Sequence, residues 1–347
     1  MNESQQRQAL VFGATGFIGR WLVHELASQG IDVVAAIRTY ASGLQLQDWL
    51  TSHGVGPVTT TLVDFTKDGL GLDPGHLETV TEVYNVAGAF RFGMTPEEAR
   101  TANVDGSLRV VELVAKLPRL GRLVHLSGYR VSPAEGGAEP WSPRERRRMY
   151  ARLGAYEASK LESDALVRIR AAELGVPLTI ANPSTVVGHS VTGEADQLVG
   201  LATTIRDLAV GKLTAVPGGR DIFVPVVSVD YLAQFLTLLP VSPETAGAAY
   251  WILDDATPPL PELLRVIGSH LDVPVPKISV PVWLVRRLPA RLTKADPETL
   301  SFLSTDRYPT APALALAARH GLAFPPVDQV LTRWADHLLG RQPAFDA

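Results

Sequence analysis

The chain has 347 residues, 46% of them hydrophobic and 20% charged, and its 36 acidic and 32 basic side chains give a net charge of −4. A chain of this length buries a large core, and its apolar fraction excludes a disordered protein. It contains no cysteine, which excludes disulfides, thiolate metal sites and a cysteine nucleophile. The small negative charge argues against partners such as nucleic acid or an anionic membrane.

No apolar run approaches the ~18–20 residues that span a bilayer. The polar start, MNESQQRQ, lacks the pattern of a signal peptide. We therefore expect a cytoplasmic protein.

Short β-branched runs alternate with helical spacing in the first half of the chain. Strands are predicted at residues 8–12, 31–37, 58–63, 81–86, 122–127 and 178–181. Helices are predicted at residues 17–29, 44–53, 96–117 and 146–173. This alternation is typical of βαβ units, and it predicts an α/β fold with a doubly wound parallel (Rossmann) sheet.

The composition changes after Ser127. Residues 132–143 are rich in Pro, Gly and Glu and predict a loop, and many prolines are scattered through the rest of the chain. We expect a dinucleotide-binding domain formed by residues 1–190 with about 215–245. Residues of about 191–214 and 246–347 would form a smaller, mixed substrate lobe.

Three glycines lie between the first predicted strand and helix, at Gly13, Gly16 and Gly19. Gly13 allows the tight turn, Gly16 lets the backbone approach a pyrophosphate, and Gly19 allows close packing of helix on sheet. The start of the helix favours an anion. The strand–turn–helix context favours a nucleotide site over a glycine-rich turn without a ligand.

The second strand ends at Ile37, followed by Arg38. An NAD enzyme usually has an acidic residue here, which binds the ribose hydroxyls, whereas a guanidinium suits a 2′-phosphate. This ending predicts NADP as the cofactor, with a solvated surface arginine as the alternative. Asp64, after the third strand, either accepts a hydrogen bond from adenine, with Phe65 beside the ring, or caps its own turn.

Tyr156 and Lys160 are four residues apart within a predicted helix. This spacing places phenol and ammonium on one face, where the cation stabilises the phenolate and lowers the tyrosine pKa. Such a tyrosine exchanges a proton with a carbonyl or alcohol oxygen during hydride transfer. A surface lysine on an amphipathic helix is the alternative.

Four motifs occur in order: GATGFIG at 13–19, NVAG at 85–88, NVDG at 103–106 and Tyr156-x-x-x-Lys160. Together they resemble an extended short-chain dehydrogenase/reductase. The Ile37–Arg38 ending is similar to the NADPH-dependent branch that includes dihydroflavonol-reductase-like and thioester-reductase-like enzymes.

The resemblance implies roles for particular residues. Tyr156 would donate the proton, Lys160 would bind the nicotinamide ribose, and Asn103 would hold a relay water. Pro183 and Val186 would meet the nicotinamide carboxamide. The predicted cofactor-binding set is Gly13, Thr15, Gly16, Phe17, Ile18, Gly19, Arg38, Asp64, Phe65, Val86, Ala87, Gly88, Lys160, Pro183 and Val186.

The chain departs from the family pattern after the fifth strand. Family members end this strand with two hydroxyl residues, and the second usually polarises the substrate carbonyl. Here the order is Ser127-Gly128-Tyr129. We assign the hydroxyl to Ser127, with the backbone or Tyr129 as the alternative donor.

The remaining motifs have two interpretations each. The run Arg144–Arg148 is a solvated segment or a handle for an anionic substrate such as a phosphopantetheine or coenzyme A phosphate. His189 lines the substrate pocket or caps the next helix. Phe90 and Phe92 are expected in the substrate wall with His189. No histidine spacing indicates a metal site.

We therefore predict an NADPH-dependent carbonyl reductase acting on a ketone, an aldehyde or an activated acyl group, either free or bound to a carrier or CoA. A nucleotide-retaining epimerase or dehydratase is one alternative, and a non-catalytic NADP-binding redox sensor is another. Relatives pair through two helices, so a homodimer is one expected state.

Overall fold

The computed structural model describes residues 7–89, 91, 93–131, 140–196, 200–285 and 302–341. Within these residues the chain divides into two compact units. The first consists of Met1–Pro183 with Ala233–Tyr250, and the second of Ser184–Leu232 with Trp251–Ala347. The segment that returns to the first unit is thus 233–250, where the sequence pattern predicts about 215–245.

Eleven strands are described. They are β1 Gln8–Phe12, β2 Asp32–Ile37, β3 Thr59–Leu62, β4 Glu82–Asn85, β5 Arg122–Leu126, β6 Leu178–Pro183, β7 Thr185–Val187, β8 Val216–Pro217, β9 Val226–Ser228, β10 Ala249–Ile252 and β11 Ser279–Val280.

Twelve α-helices are described. They are α1 Phe17–Ser28, α2 Tyr40–Ser52, α3 Pro96–Arg100, α4 Gly106–Val114, α5 Pro143–Leu153, α6 Ala155–Glu173, α7 Leu201–Ala209, α8 Val229–Leu238, α9 Leu260–Leu271, α10 Val282–Val285, α11 Ala311–Arg319 and α12 Val327–Leu338.

The central sheet has seven strands in the order β10-β6-β5-β4-β1-β2-β3. Strands β1 to β6 pair in parallel, so the predicted Rossmann architecture is confirmed. The direction in which the chain winds reverses at β1, whose two neighbours are β2 and β4. In doubly wound sheets a ligand binds beyond the carboxyl ends of the strands at this reversal.

One face of the sheet packs against α4 and α6 in an apolar core. Strands contribute Leu10, Phe12, Val83, Leu123 and Ile180, and α4 contributes Val110, Val111, Leu113 and Val114, while Val167 and Ala171 come from α6. The α6 helix is thereby fixed against β4, β5 and β6, with its N-terminal half toward their carboxyl ends.

Two predicted helices are interrupted in the structure. The stretch predicted as one helix over 96–117 is α3, a π-helical turn at Thr101–Asp105 and α4, which ends at Val114. The stretch predicted as one helix over 146–173 is α5 and α6, separated at Gly154, whose φ is +86°. Ser142 and Glu145 form a capping box that starts α5 at Pro143. Residues 132–139 of the predicted loop lie outside the described residues.

The second unit contains two small parallel pairs, β7 with β9 and β8 with β11. Its helices α9 and α12 are joined by a hydrogen bond of 2.9 Å between His270 Nε2 and Asp336.

Candidate active site

The glycine loop joins β1 to α1. Gly13 has a φ of +82°, and a Cβ built on it would lie 2.7 Å from the Ala87 nitrogen. A Cβ on Gly19 would lie 2.0 Å from the Gly13 carbonyl oxygen. Neither position therefore accepts a side chain. Gly16 precedes α1, where no side chain caps the helix, so backbone donors at this end are available for an anion. Thr15 lies in the loop, and Phe17 and Ile18 begin the helix.

The segment after β4 runs beside this loop. Val86 N donates to Phe12 O at 3.1 Å, and Ala87 approaches Gly13 as described above. The structure thus brings together the glycine loop and the predicted Val86–Gly88 segment.

The end of β2 places an exposed arginine directly after a buried apolar residue. Ile37 is buried, whereas Arg38 is exposed and forms no hydrogen bond or ion pair with a described residue. Thr39 Oγ1 accepts from Ser42 N and caps α2. The Arg38 guanidinium is therefore available to a ligand.

Asp64 follows β3 and caps its own turn. One carboxylate oxygen accepts hydrogen bonds from Thr66 N (2.9 Å) and Thr66 Oγ1 (2.6 Å). These bonds, with Lys67 nearby, hold the Asp64 pKa below its ordinary value. The adjacent Phe65 packs edge-on against Phe12, with ring centroids 6.1 Å apart. The turn role of Asp64 is thus observed, and its contact with adenine stays a prediction.

Lys160 lies in α6, four residues after Tyr156. Its Nζ donates to Leu126 O at 3.0 Å. Burial lowers the Lys160 pKa to about 8, and Asp164 partly opposes this shift. Tyr156 is half-buried and packs against an apolar cluster formed by Met94, Ala99, Tyr150, Ala155 and Ala158. Neither side chain is directed wholly to solvent, as a surface amphipathic helix would require.

Asn103 lies in the π-helical turn, and its side-chain amide is used by protein groups. Oδ1 accepts from Ala89 N at 2.8 Å, and Nδ2 donates to Ser159 Oγ at 3.0 Å. A Cβ on Gly88 would lie 3.3 Å from Asn103 Oδ1 and 4.0 Å from Lys160 Nζ. Asn103 and Lys160 therefore flank Gly88, and Asn103 fixes the segment after β4. Its role toward a relay water stays a prediction.

Ser127 and Gly128 follow β5. Ser127 is 5% exposed, and its hydroxyl has no hydrogen-bond partner among the described residues. At Gly128 an added Cβ would meet no atom within 4 Å. Tyr129 is buried, and its N donates to Pro183 O at 3.1 Å. A carbonyl oxygen is one group that would satisfy the Ser127 hydroxyl.

The other predicted site residues are distributed between the two units or lie outside the described residues. Pro183 ends β6 in the first unit, and Val186 pairs with Val227 in the second. His189 Nδ1 accepts from Val191 N and Thr192 N at 3.2 Å each, which favours the capping interpretation, although it caps a turn and not a helix. Phe90 and Phe92 lie outside the described residues.

The arginine run has a structural partner that the sequence did not indicate. Glu162 is 2% exposed and accepts hydrogen bonds from Arg146 (2.7 Å), Arg100 (3.3 Å) and Tyr150 Oη (2.9 Å). Arg144, Arg147 and Arg148 are exposed. A cavity of about 420 Å³ adjoins this cluster, lined by Pro96, Glu97, Arg100, Arg146, Arg147, Tyr150 and Ala151.

The described residues hold neither a metal-binding cluster nor a helix that could span a membrane. They contain no group of three or more His, Asp or Glu side chains that could hold a metal ion. Within the same ranges, no helix is both long enough and apolar enough to cross a bilayer.

Several proteins of known identity resemble the chain in sequence. A component of the linear gramicidin synthase of Brevibacillus parabrevis is 24% identical over 308 residues, which are 81% of this chain and only 6% of that much longer protein. A putative dihydroflavonol 4-reductase of Synechocystis is 25% identical over 294 residues, 79% of this chain and 75% of the relative. Ketoreductase CTB6 of Cercospora beticola is 31% identical over 222 residues, 57% of this chain and 59% of that protein.

Solved structures share the fold. The terminal R domain from the myxalamid PKS-NRPS biosynthetic pathway has a TM-score of 0.76 at 22% identity, covering 97% of this chain and 92% of that one. Gre2 of Candida albicans in complex with NADPH has a TM-score of 0.68 at 18% identity, covering 96% and 99%.

Residues 11–236 match the model of the family described as Male sterility protein, whose members are NAD-binding. The match covers more than half of the chain and includes the glycine loop, Tyr156 and Lys160. The chain therefore belongs to the Male sterility protein family, a group of NAD(P)-binding reductases within the extended short-chain dehydrogenases/reductases.

Proposed function

We propose that the chain is an NADPH-dependent reductase in which Tyr156 protonates the oxygen of a carbonyl group while its carbon accepts a hydride. The observation that carries this proposal is the position of Lys160. Its ammonium is held on Leu126 O at 3.0 Å, beside Gly88, and four residues from Tyr156 on one helix. A lysine on a solvated helix face would have neither the contact with Leu126 O nor the lowered pKa.

The residues at the carboxyl end of β1, where the winding direction of the sheet reverses, fit a dinucleotide. Gly13 and Gly19 have no room for a side chain, and the α1 N-terminus offers backbone donors to a pyrophosphate. NADPH, when bound, supplies the hydride. The exposed Arg38 at the end of β2 supports a preference for the 2′-phosphate, because the guanidinium forms charge-assisted hydrogen bonds with phosphate oxygens.

Lys160 and Ser127 would assist Tyr156 in different ways. A charged Lys160 stabilises the phenolate that remains after proton transfer. With a Lys160 pKa of about 8, the side chain is mostly charged at neutral pH. The buried Ser127 hydroxyl would donate to the carbonyl oxygen, where negative charge develops. Tyr156 then recovers its proton from solvent, and a ketone or aldehyde substrate leaves as the alcohol.

We propose that the carbonyl belongs to an acyl thioester carried on a phosphopantetheine arm or on CoA. Solved neighbours include the terminal R domain named above and a thiolation-reductase di-domain. Hydride addition and protonation of such a thioester give a hemithioacetal, which releases thiol and aldehyde. The cavity between α3 and α5 supports this substrate class, because the guanidinium of Arg147 at its rim suits a phosphate.

The test compares Tyr156→Phe with the wild-type protein. Net oxidation of NADPH is followed with ketones, aldehydes and acyl thioesters. We expect Tyr156→Phe to bind NADPH normally and to lose about 10²–10⁴-fold in kcat. Tyr84→Phe is the matched control, since Tyr84 is a buried tyrosine of β4 whose hydroxyl contacts Glu82, outside the site. Unchanged turnover in Tyr156→Phe would rule out the role assigned to Tyr156. Catalysis without net NADPH consumption would indicate an epimerase or dehydratase.

A further inference from the structure

Four buried polar side chains lie together at the carboxyl ends of three neighbouring strands. They are Asn85 on β4, His125 and Ser127 at the end of β5, and Asn182 on β6, and we call them the polar layer. Each is at most 5% exposed. In the register of the sheet, Asn85 lies opposite His125 on the neighbouring strand, and His125 lies opposite Ile180. Because strand residues alternate between faces, all four lie on one face of the sheet.

The same face is apolar nearer the amino ends of these strands. There Val83, Leu123 and Ile180 pack against Val167 and Ala171 of α6. Residues four and seven apart share a helix face, so Lys160 and Asp164 continue this stripe of α6 toward the polar layer. The interface between α6 and the sheet therefore changes from apolar to polar where Lys160 lies.

Most hydrogen-bonding atoms of the polar layer have no partner among the described residues. Asn85 Nδ2 lies 3.1 Å from His125 Nδ1. Since the amide nitrogen can only donate, Nδ1 accepts, and the proton of the neutral ring lies on Nε2. His125 is neutral because burial, Lys160 and Arg168 lower its pKa to about 3. The atoms without a partner are His125 Nε2, Ser127 Oγ, Asn85 Oδ1 and both amide atoms of Asn182.

An unpartnered polar atom in a protein interior is costly, and native proteins usually satisfy such atoms with ordered water. The substrate carbonyl would satisfy Ser127 Oγ, and the other four atoms on this face are more than packing alone accounts for. The Asn103 side chain bonds Ala89 and Ser159, and the hydrogen bond described for Lys160 goes to Leu126 O instead.

We propose that the polar layer binds ordered internal water, which hydrogen-bonds His125 Nε2 and Asn182 and solvates the Lys160 ammonium from the sheet side. His125 and Asn182 are then positioning residues that keep Lys160 charged. For catalysis this inference depends on the proposed function, since it concerns the lysine that assists Tyr156. The charged groups that face this region from α6 are Lys160, Asp164 and Arg168.

The experiment measures the Lys160 pKa directly, by NMR titration of ¹³C-labelled lysine assigned with Lys160→Met. Loss of solvation disfavours the charged form, so we expect His125→Leu and Asn182→Leu each to lower the Lys160 pKa by about one unit, a tenfold change in its ionisation constant. His125→Gln retains an amide donor and should therefore keep the Lys160 pKa close to its wild-type value. Val124→Ala, whose side chain is buried on the opposite face of β5, is the packing control and should leave the titration unchanged.

Three results overturn the proposal. The first is an unchanged Lys160 pKa in either leucine variant, provided that the variant folds. The second is a shift of the Lys160 pKa in Val124→Ala as large as that in the leucine variants. The third is a high-resolution crystal structure with no water in the polar layer. If the wild-type protein reduces no carbonyl, the proposed function fails while the titration still tests the water site. If the wild-type protein is active, the pH profile of kcat/KM should shift with the Lys160 pKa in each variant.

Discussion

Ser127 and Gly128 are adjacent in the chain, but Ser127 is enclosed by protein whereas Gly128 faces open space. The Ser127 hydroxyl is buried without a partner among the described residues, whereas a side chain added at Gly128 would meet no atom within 4 Å. The position at which the family resemblance predicts a hydroxyl is thus spatially open in this chain. A serine at residue 128 can therefore be introduced without displacing a neighbour.

Gly128→Ser should raise kcat for carbonyl reduction about tenfold, because a second donor stabilises the charge that develops on the oxygen. Steady-state kinetics with NADPH measures this change. Gly128→Ala restricts the backbone equally but adds no hydroxyl, and it should leave kcat near the wild-type value. An equal effect of alanine and serine would contradict a role for the hydroxyl.

Arg38→Ala should raise the KM for NADPH about tenfold or more, because a guanidinium–phosphate contact is lost. The KM for NADH should change little, since that cofactor has no 2′-phosphate. Steady-state kinetics with each cofactor gives both KM values for the wild type and for the variant, so the two effects are compared within one protein. Equal weakening of both would show that Arg38 does not contact the phosphate.

His125 makes the stability of the protein depend on pH. Its folded-state pKa of about 3 lies below the ordinary value of 6.5, so unfolding takes up a proton at any pH between these two. Stability is therefore lost as the pH falls through this window. Between pH 6.5 and pH 5 the loss from this group is on the order of 1–2 kcal/mol.

Urea unfolding at the two pH values measures this loss. His125→Gln removes the titrating ring and should lose less stability than the wild type over the same interval. The same pH dependence in the variant and in the wild type would contradict a neutral, buried His125.

Arg147→Glu should raise the KM for a CoA thioester about tenfold, while the KM for a small aldehyde stays unchanged. The reason is that Arg147 lines the cavity between α3 and α5 and would meet the phosphates of the carrier arm. Arg144→Glu changes the same charge on the same helix, but Arg144 does not line the cavity. A similar effect of both variants on the CoA thioester would indicate general electrostatics and not a specific contact.

The sequence was sufficient for the architecture of the nucleotide-binding unit. Buried β-branched runs and the glycine loop have strong local signals, and β1, α1 and β2 lie within one residue of their predicted bounds. Gly154 itself could have indicated the break between α5 and α6 from the sequence. The spacing of Ser142 and Glu145, which is that of a capping box, could have indicated the start of α5. The helical periodicity continues through both helix boundaries, so periodicity alone does not indicate them.

Other features could not be predicted, because they depend on contacts between distant segments. Glu162 pairs with Arg100 and Arg146, which lie 62 and 16 residues away in the chain. His125 belongs to β5, in which three of the five residues are apolar, and its buried environment arises only when α6 covers β5. The strands β7, β8, β9 and β11 of the second unit are two or three residues long, too short for a periodic signal.

The π-helical turn at Thr101–Asp105 has a consequence for evolution and engineering. Deleting one residue there would convert the region to regular α-helix, and the change in side-chain direction would be concentrated in the turn that contains Asn103. Asn103 would then leave Ala89, and Ser107 and Ser163 would lose the carbonyl that their hydroxyls now share. This irregularity therefore constrains the length of the segment, and we expect shortened variants to lose the bond between Asn103 and Ala89 before they lose the fold.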